Sequence, residues 1–221
     1  RSILYNSDEY VITSIKDGSF KNNEKIESID FTEDSELKSI GKNAFAFSSL
    51  KKLTISQKVE NLKNGWCKSS LYLNEILISP NNKNFIYLDE SHKIILGKSD
   101  QNTENFDVLV FACRDINQAF IPSKIKRIDS YSFYECNDLC SINFSEDSEL
   151  LSIGKGAFSY SSIEKVYIPQ KVEILEDGWL GDTSNLNDIC FSSLNQNFKY
   201  IDENHEIVVG KSNNSNNDFD V

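Results

Sequence analysis

The stretch SELKSIGKNAFAFSSLKKLTI, residues 35–55, returns as SELLSIGKGAFSYSSIEKVYI at residues 148–168. The match extends without a gap from Phe31 to Val108 against Phe144 to Val221, at a constant offset of 113 and with about half the positions identical. Within each copy the apolar residues follow a shorter period, L-x-x-I-x-I, then V-x-x-I, then a small-residue turn carrying A-F. Such units begin at Ile26, Leu50, Leu73, Ile116, Leu139, Ile163 and Leu186, and all but one of the separations are 23 or 24 residues. The exception, 43 residues between Leu73 and Ile116, is one unit carrying an insertion of 20. A cruder unit with Ile12, Ile15 and Phe20 precedes them.

Apolar residues at positions 1, 4 and 6 of a unit, with polar residues between, describe a short strand that turns one edge into a core. A strand of this length cannot bury its face alone. Stacking one unit on the next closes the core and produces a parallel ladder, a solenoid. Val59 and Leu62, with Val172 and Leu175 in the second copy, are expected to form the opposite wall. Phe45 and Phe158 are the wedge between the walls and should stack into an aromatic spine, with Trp66 and Trp179 replacing the wedge next to the insertion. The insertion reads as a hairpin, FIYLD (85–89) and KIILGK (93–98), plus a third strand DVLVFA (107–112), the whole projecting from the solenoid. The expected organisation is a single solenoid over residues 1–221, made of two 113-residue super-repeats, with β-hairpin insertions at about 81–115 and 194–221. With no methionine in 221 residues, the chain is expected to be a piece of a longer protein.

The unit L-x-x-I-x-I-P-x-x-V-x-x-I-G-x-x-A-F-x-x-C/S, seen here in IEKVYIPQKVEILEDGW, IGKNAFAFSS and IPSKIKRIDSYSFYECNDL, resembles the BspA-like leucine-rich repeats, also called the Treponema pallidum type. The style is most similar to the large BspA-like surface protein family of Trichomonas. Ser56 stands where the family pattern has proline, and Trp66 and Trp179 stand where it has A-F. The resemblance implies a right-handed leucine-rich-repeat solenoid of short parallel strands. It also implies a non-enzymatic surface or secreted adhesin that binds host or extracellular-matrix macromolecules, and it brings no catalytic motif and no cofactor. An intracellular protein-interaction scaffold and a carbohydrate-binding module are the alternatives.

Composition narrows the partners. A net charge of -11 with pI near 4.7 argues against nucleic acid and anionic membranes, which attract clustered Lys and Arg. No run approaches the roughly 20 apolar residues of a membrane span. Cys67, Cys113, Cys136, Cys140 and Cys190 form neither a C-x-x-C pair nor a zinc spacing and read as scattered buried thiols, with Cys136 taking the turn place of Ser48 and Ser161. Asp89, Glu90 and His92, repeated at His205, have donor chemistry but lack a fourth ligand, and their stretch is a good hairpin turn, so no metal is assigned. IGKGAF lacks the Lys-Ser/Thr ending of a phosphate loop, and no serine or cysteine has an oriented histidine implied beside it. Two N-x-S sequons occur, at Asn143 and Asn213.

The remaining signal is position 5 of each strand, which faces away from the core: Asp30, Thr54, Leu77, Phe120, Asn143, Tyr167 and Cys190. An apolar row there is either a contact surface or a floor covered by the inserted hairpins. As a contact surface for a protein or glycoprotein, its anchors are Leu77, Phe120 and Tyr167, flanked by Lys51, Lys52, Glu164 and Lys165.

Overall fold

The computed structural model describes residues 2–5, 8–200, 208–211 and 219–220. His205 and Asn213 lie outside them. Each unit contributes two strands. The longer ones build a first wall: β4 (Ser28–Ile29), β6 (Lys52–Ile55) and β8 (Glu75–Ile78) in one parallel sheet, then β12 (Gln118–Ile121), β14 (Ser141–Phe144), β16 (Lys165–Ile168) and β18 (Asp188–Phe191) in another. Two-residue strands at the V-x-x-I positions, with one five-residue strand (β11) among them, build the second wall: β3 (Ser14–Ile15), β5 (Ser39–Ile40) and β7 (Asn61–Leu62), then β11 (Val108–Ala112), β13 (Arg127–Ile128), β15 (Ser152–Ile153) and β17 (Ile174–Leu175). An antiparallel pair, β1 (Ser2–Tyr5) and β2 (Asp8–Val11), precedes them. The described residues form strands and turns without a helix, a leucine-rich-repeat-like solenoid.

The wedge turns explain the A-F landmark. Two left-handed residues four apart bracket each one: Gly18/Asn22, Asn43/Phe47, Gly65/Ser69, Tyr131/Glu135, Gly156/Tyr160 and Gly178/Asp182, with φ between 54° and 67°. Glycine is favoured there because it alone adopts this backbone without steric cost. Phe45 and Phe158 are fully buried. Phe20, Phe45, Trp66 and Phe111 run ring to ring at centroid distances of 5.3, 6.4 and 5.4 Å. Phe133, Phe158 and Trp179 repeat the pattern at 5.1 and 6.4 Å. The expected aromatic spine is present. Its tryptophans, however, stand one residue early. The Phe20 amide bonds to the Ala44 carbonyl, whereas the Phe45 amide bonds to Trp66 and the Phe158 amide to Trp179. The indole therefore replaces the alanine of A-F, and Cys67 and Leu180 take the phenylalanine's place.

The insertion does not project. β9 (Ile86–Tyr87) and β10 (Ile94–Gly97) pair antiparallel, β10 pairs with β11, and β11 joins β13 in parallel, so one six-stranded sheet runs from the hairpin into the second wall. The hairpin divides the interior. Ile95, Phe111 and Cys113 face a core with Phe45, Leu53 and Trp66, while Ile94, Leu96 and Leu109 face a core with Phe133, Leu139 and Phe158. A sheet with a core on each side needs apolar residues on both faces, which IILG and VLVFA supply without alternation. We call this element a septum. Its anchor is an asparagine pair: the Asn82 amide donates to the carbonyls of Ser56 and Val59, the Asn84 amide donates to Val59, and the Phe85 amide donates to the Asn82 side chain. The second copy makes the same bonds with Asn195, Asn197 and Phe198. From there β19 (Phe198–Tyr200), β20 (Val208–Lys211) and β21 (Phe219–Asp220) form an antiparallel sheet.

Arg114 follows the septum and is buried with it. Its guanidinium donates to the carbonyls of Ala112 and Ser132 and lies 3.7 and 3.8 Å from the sulfurs of Cys136 and Cys67. Burial pushes the Cys67 and Cys113 thiols up to about 12 and that of Cys136 up as well, so none is a thiolate at neutral pH. Cys136 fills the expected inward turn position.

Candidate interaction surface

Strand alternation places position 4 and position 6 of each unit in the core and position 5 outside. In β12 and β16 the burial alternates strictly, with Ala119, Ile121, Val166 and Ile168 buried between exposed neighbours. Phe120 is 59% exposed, Tyr167 49% and Leu77 39%. The inserted hairpin leaves this row open, because its apolar strands are consumed by the septum. The three residues are not contiguous. Register puts Leu77 beside Thr54, Phe120 beside Asn143 and Tyr167 beside Cys190. Phe120 and Tyr167 stand two strand spacings, roughly 10 Å, apart across the exposed Asn143. Leu77 belongs to the other sheet, across the break between β8 and β12.

The flanking charges are engaged with their neighbours. Lys51 pairs with Glu27 at 3.0 Å, Lys52 with Glu75 at 3.0 Å and Lys165 with Asp188 at 2.7 Å, each joining successive turns of the ladder. The hydrogen bond that Lys52 donates to Glu75 raises the Lys52 pKa, and the one that Lys165 donates to Asp188 raises the Lys165 pKa. Glu164 is exposed and its backbone amide bonds to the Cys140 carbonyl. These side chains are cross-strand ties of the ladder before they are anything else.

Two clefts open on this face. One, about 580 Å³, lies between the hairpin tip (Asp89, Ser91, Lys93) and β12, with Ile116, Ala119 and Phe120 in its wall. The other, about 530 Å³, lies between Tyr167 and the exposed Leu194. Asn143 borders both. The hairpin tip is held by its own bonds. Asp89 accepts from the Ser91 amide at 2.8 Å, His92 stacks on Tyr87 at 4.0 Å, and Lys93 bridges Asp115 at 2.6 Å and the Asn74 carbonyl at 3.2 Å. Asp89 and His92 are thus turn-forming residues, and no cluster among the described residues could hold a metal ion. The tip's part in a cleft has no signature in the apolar pattern, which is equally that of a hairpin projecting from the solenoid. An aromatic cluster on the wedge-turn edge has no signature in that pattern either: the buried Tyr134 meets the half-buried Tyr131 and the exposed Tyr160 at 5.4 and 5.3 Å, with the Lys68 ammonium over the Tyr131 and Tyr134 rings.

Comparison with known proteins fixes the class. The BspA type leucine rich repeat region matches in six copies over residues 4–89 and 105–205. The chain belongs to that family, a family of protein-interaction repeats. A leucine-rich repeat protein from Eubacterium ventriosum is similar at TM-score 0.67 and 23% identity, over 80% of this chain and 44% of that one. A leucine rich cell surface protein from Faecalibacterium prausnitzii is similar at TM-score 0.60 and 16% identity, over 82% of this chain and 58% of that one. The chain spans about half the length of these solved structures. No curated protein matches it.

Proposed function

We propose that this chain is a non-catalytic binding segment of a surface or secreted adhesin. It takes a protein or glycoprotein on the outward face of the first wall, through Phe120 and Tyr167 with Leu77 at the far side of the break. The observation that carries this is the exposure of Phe120 and Tyr167 on strands whose alternate residues are fully committed to the core. Two large aromatic side chains left in water beside clefts are the kind of anchor that protein interfaces use. The description of the Faecalibacterium relative as a cell surface protein agrees with that placement. Lys51, Lys52, Glu164 and Lys165 then act at the rim, where charges set association rate and register more than affinity.

Staining intact, unpermeabilised source cells with an antibody against this segment tests the location, and a panel of immobilised matrix proteins tests the binding. Surface signal, together with a ligand lost on Phe120→Ser or Tyr167→Ser, is expected. Signal only after permeabilisation overturns the adhesin and leaves an intracellular scaffold.

A further inference from the structure

We propose that the cleft beside Phe120 receives an extended peptide as an added strand on the free edge of β12. The inference rests on the first wall being the ligand-bearing face, and it names the class of partner. In a parallel ladder each residue bonds to only one neighbouring strand, and successive residues alternate sides. The Asn117 carbonyl accepts from Cys140 and the Ile121 carbonyl from Ser145, so the odd-numbered residues serve β14. Gln118 and Phe120 therefore turn their N–H and C=O groups the other way, where β12 has no strand partner among the described residues. That is the side of the 580 Å³ cleft, whose wall carries Gln118 and Phe120.

The matching edge on the other side of the break is closed. In β8 the odd-numbered residues serve β6, and the free groups belong to Ile76 and Ile78. The Tyr87 hydroxyl donates to the Ile76 carbonyl at 2.9 Å and accepts from the Ile78 amide at 2.8 Å. One edge is thus covered by a side chain, and the other is left without a pairing strand among the described residues. Exposed edges invite strand addition, and peptide recognition by strand addition draws its affinity from main-chain bonds. A four-residue segment, roughly 13 Å long, would span β12. Its inward side chains would meet Ile94, Ile116 and Ala119, and its polar ones Asp89, Lys93 and Asp115. The occupant is a partner strand with alternating apolar residues, like the ladder strands of this chain.

The probe is the synthetic peptide LNEILIS, a copy of residues 73–79, the strand that would precede β12 if the ladder were unbroken. Binding is expected to slow hydrogen exchange at the Gln118 and Phe120 amides. N-methylation of the peptide at its two isoleucines that follow Glu and Leu should weaken it at least tenfold. N-methylation at the leucine between them, whose amide points away, should not. Gln118→Pro should abolish binding while sparing the fold, because that amide serves no ladder bond and proline is tolerated on strand edges. No protection at millimolar peptide, or equal binding of the isoleucine-methylated peptide, overturns strand addition. A macromolecular ligand that survives Gln118→Pro and is lost on Tyr167→Ser would also reject it while keeping the aromatic row. One that survives both would reject the row itself.

Discussion

Truncating the wedge phenylalanines should cost the two cores alike and separately. Phe45 is fully buried between Phe20, stacked at 5.3 Å, and Trp66, edge-on at 6.4 Å. Phe158 has the same two neighbours in Phe133 at 5.1 Å and Trp179 at 6.4 Å. Removing a buried ring of this kind costs about 3–5 kcal/mol, and losing two aromatic pairs keeps the expectation in the upper part of that range. The septum keeps Phe45 and Phe158 in different cores, so the double variant Phe45→Ala/Phe158→Ala should be additive to within about 0.5 kcal/mol. The chain carries its own reporters, since its only two tryptophans are the edge neighbours of these rings. Urea unfolding followed by fluorescence in Trp179→Phe and Trp66→Phe backgrounds isolates each core. Phe45→Ala should shift the Trp66 transition first. A loss below about 1 kcal/mol at either site, or a Phe45→Ala variant that moves only the Trp179 signal, would refute the stacked-spine account.

Three further outcomes follow from named contacts. Gly154→Ala should destabilise by about 1–3 kcal/mol, because a Cβ there would stand 2.5 Å from the backbone nitrogen of Ser130 in the preceding turn; thermal melting checks it, with Gly181→Ala, whose added Cβ would come no nearer than 3.4 Å to any neighbour, as the comparison. Tyr87→Phe strands the Ile76 carbonyl and the Ile78 amide, so it should cost about 1–3 kcal/mol and speed exchange at the Ile78 amide. Native protein at pH 8 should be alkylated at the exposed Cys140 and not at Cys67, Cys113 or Cys136, as mass spectrometry would show. The folded Cys67 and Cys113 thiols sit near 12 against an ordinary 9.0, so their contribution to stability is intact below pH 9 and is lost as pH rises from 9 toward 12.

The repeat was legible because its residues carry local obligations. A strand with one wet face must alternate, and a left-handed turn favours glycine, so L-x-x-I-x-I and the turn before A-F announce themselves in any one unit. Ile26, Leu50 and Leu73 could be aligned without knowing what they touch. The septum was not legible in the same way. IILG and VLVFA are apolar on both faces, which is compatible with a hairpin packed on the outside or with one slid between two cores, and nothing local chooses between them. The choice depends on β11 finding β13 as a parallel partner, a pairing set by the second wall. For the same reason the outward row was open to two readings. Once the hairpin's apolar faces are spent inside, no described residue covers Phe120 and Tyr167. The neighbour of Trp66 is no more local, since it meets the Phe111 ring at 5.4 Å across 45 positions of the chain.

The septum also bears on how such a chain can lengthen. An ordinary solenoid that gains or loses a single unit must re-match the turns on both sides of the cut, since every turn shares one continuous interior with the next. Here the interior is closed off at the hairpin, and the asparagine clasp that seats it recurs 113 residues later with the same bonds. A genetic duplication of the whole block therefore copies a sealed compartment together with its lid. The new neighbour meets a wall already evolved to be faced from both sides. This gives a physical reason for the copied unit to be the 113-residue block rather than the 23-residue turn.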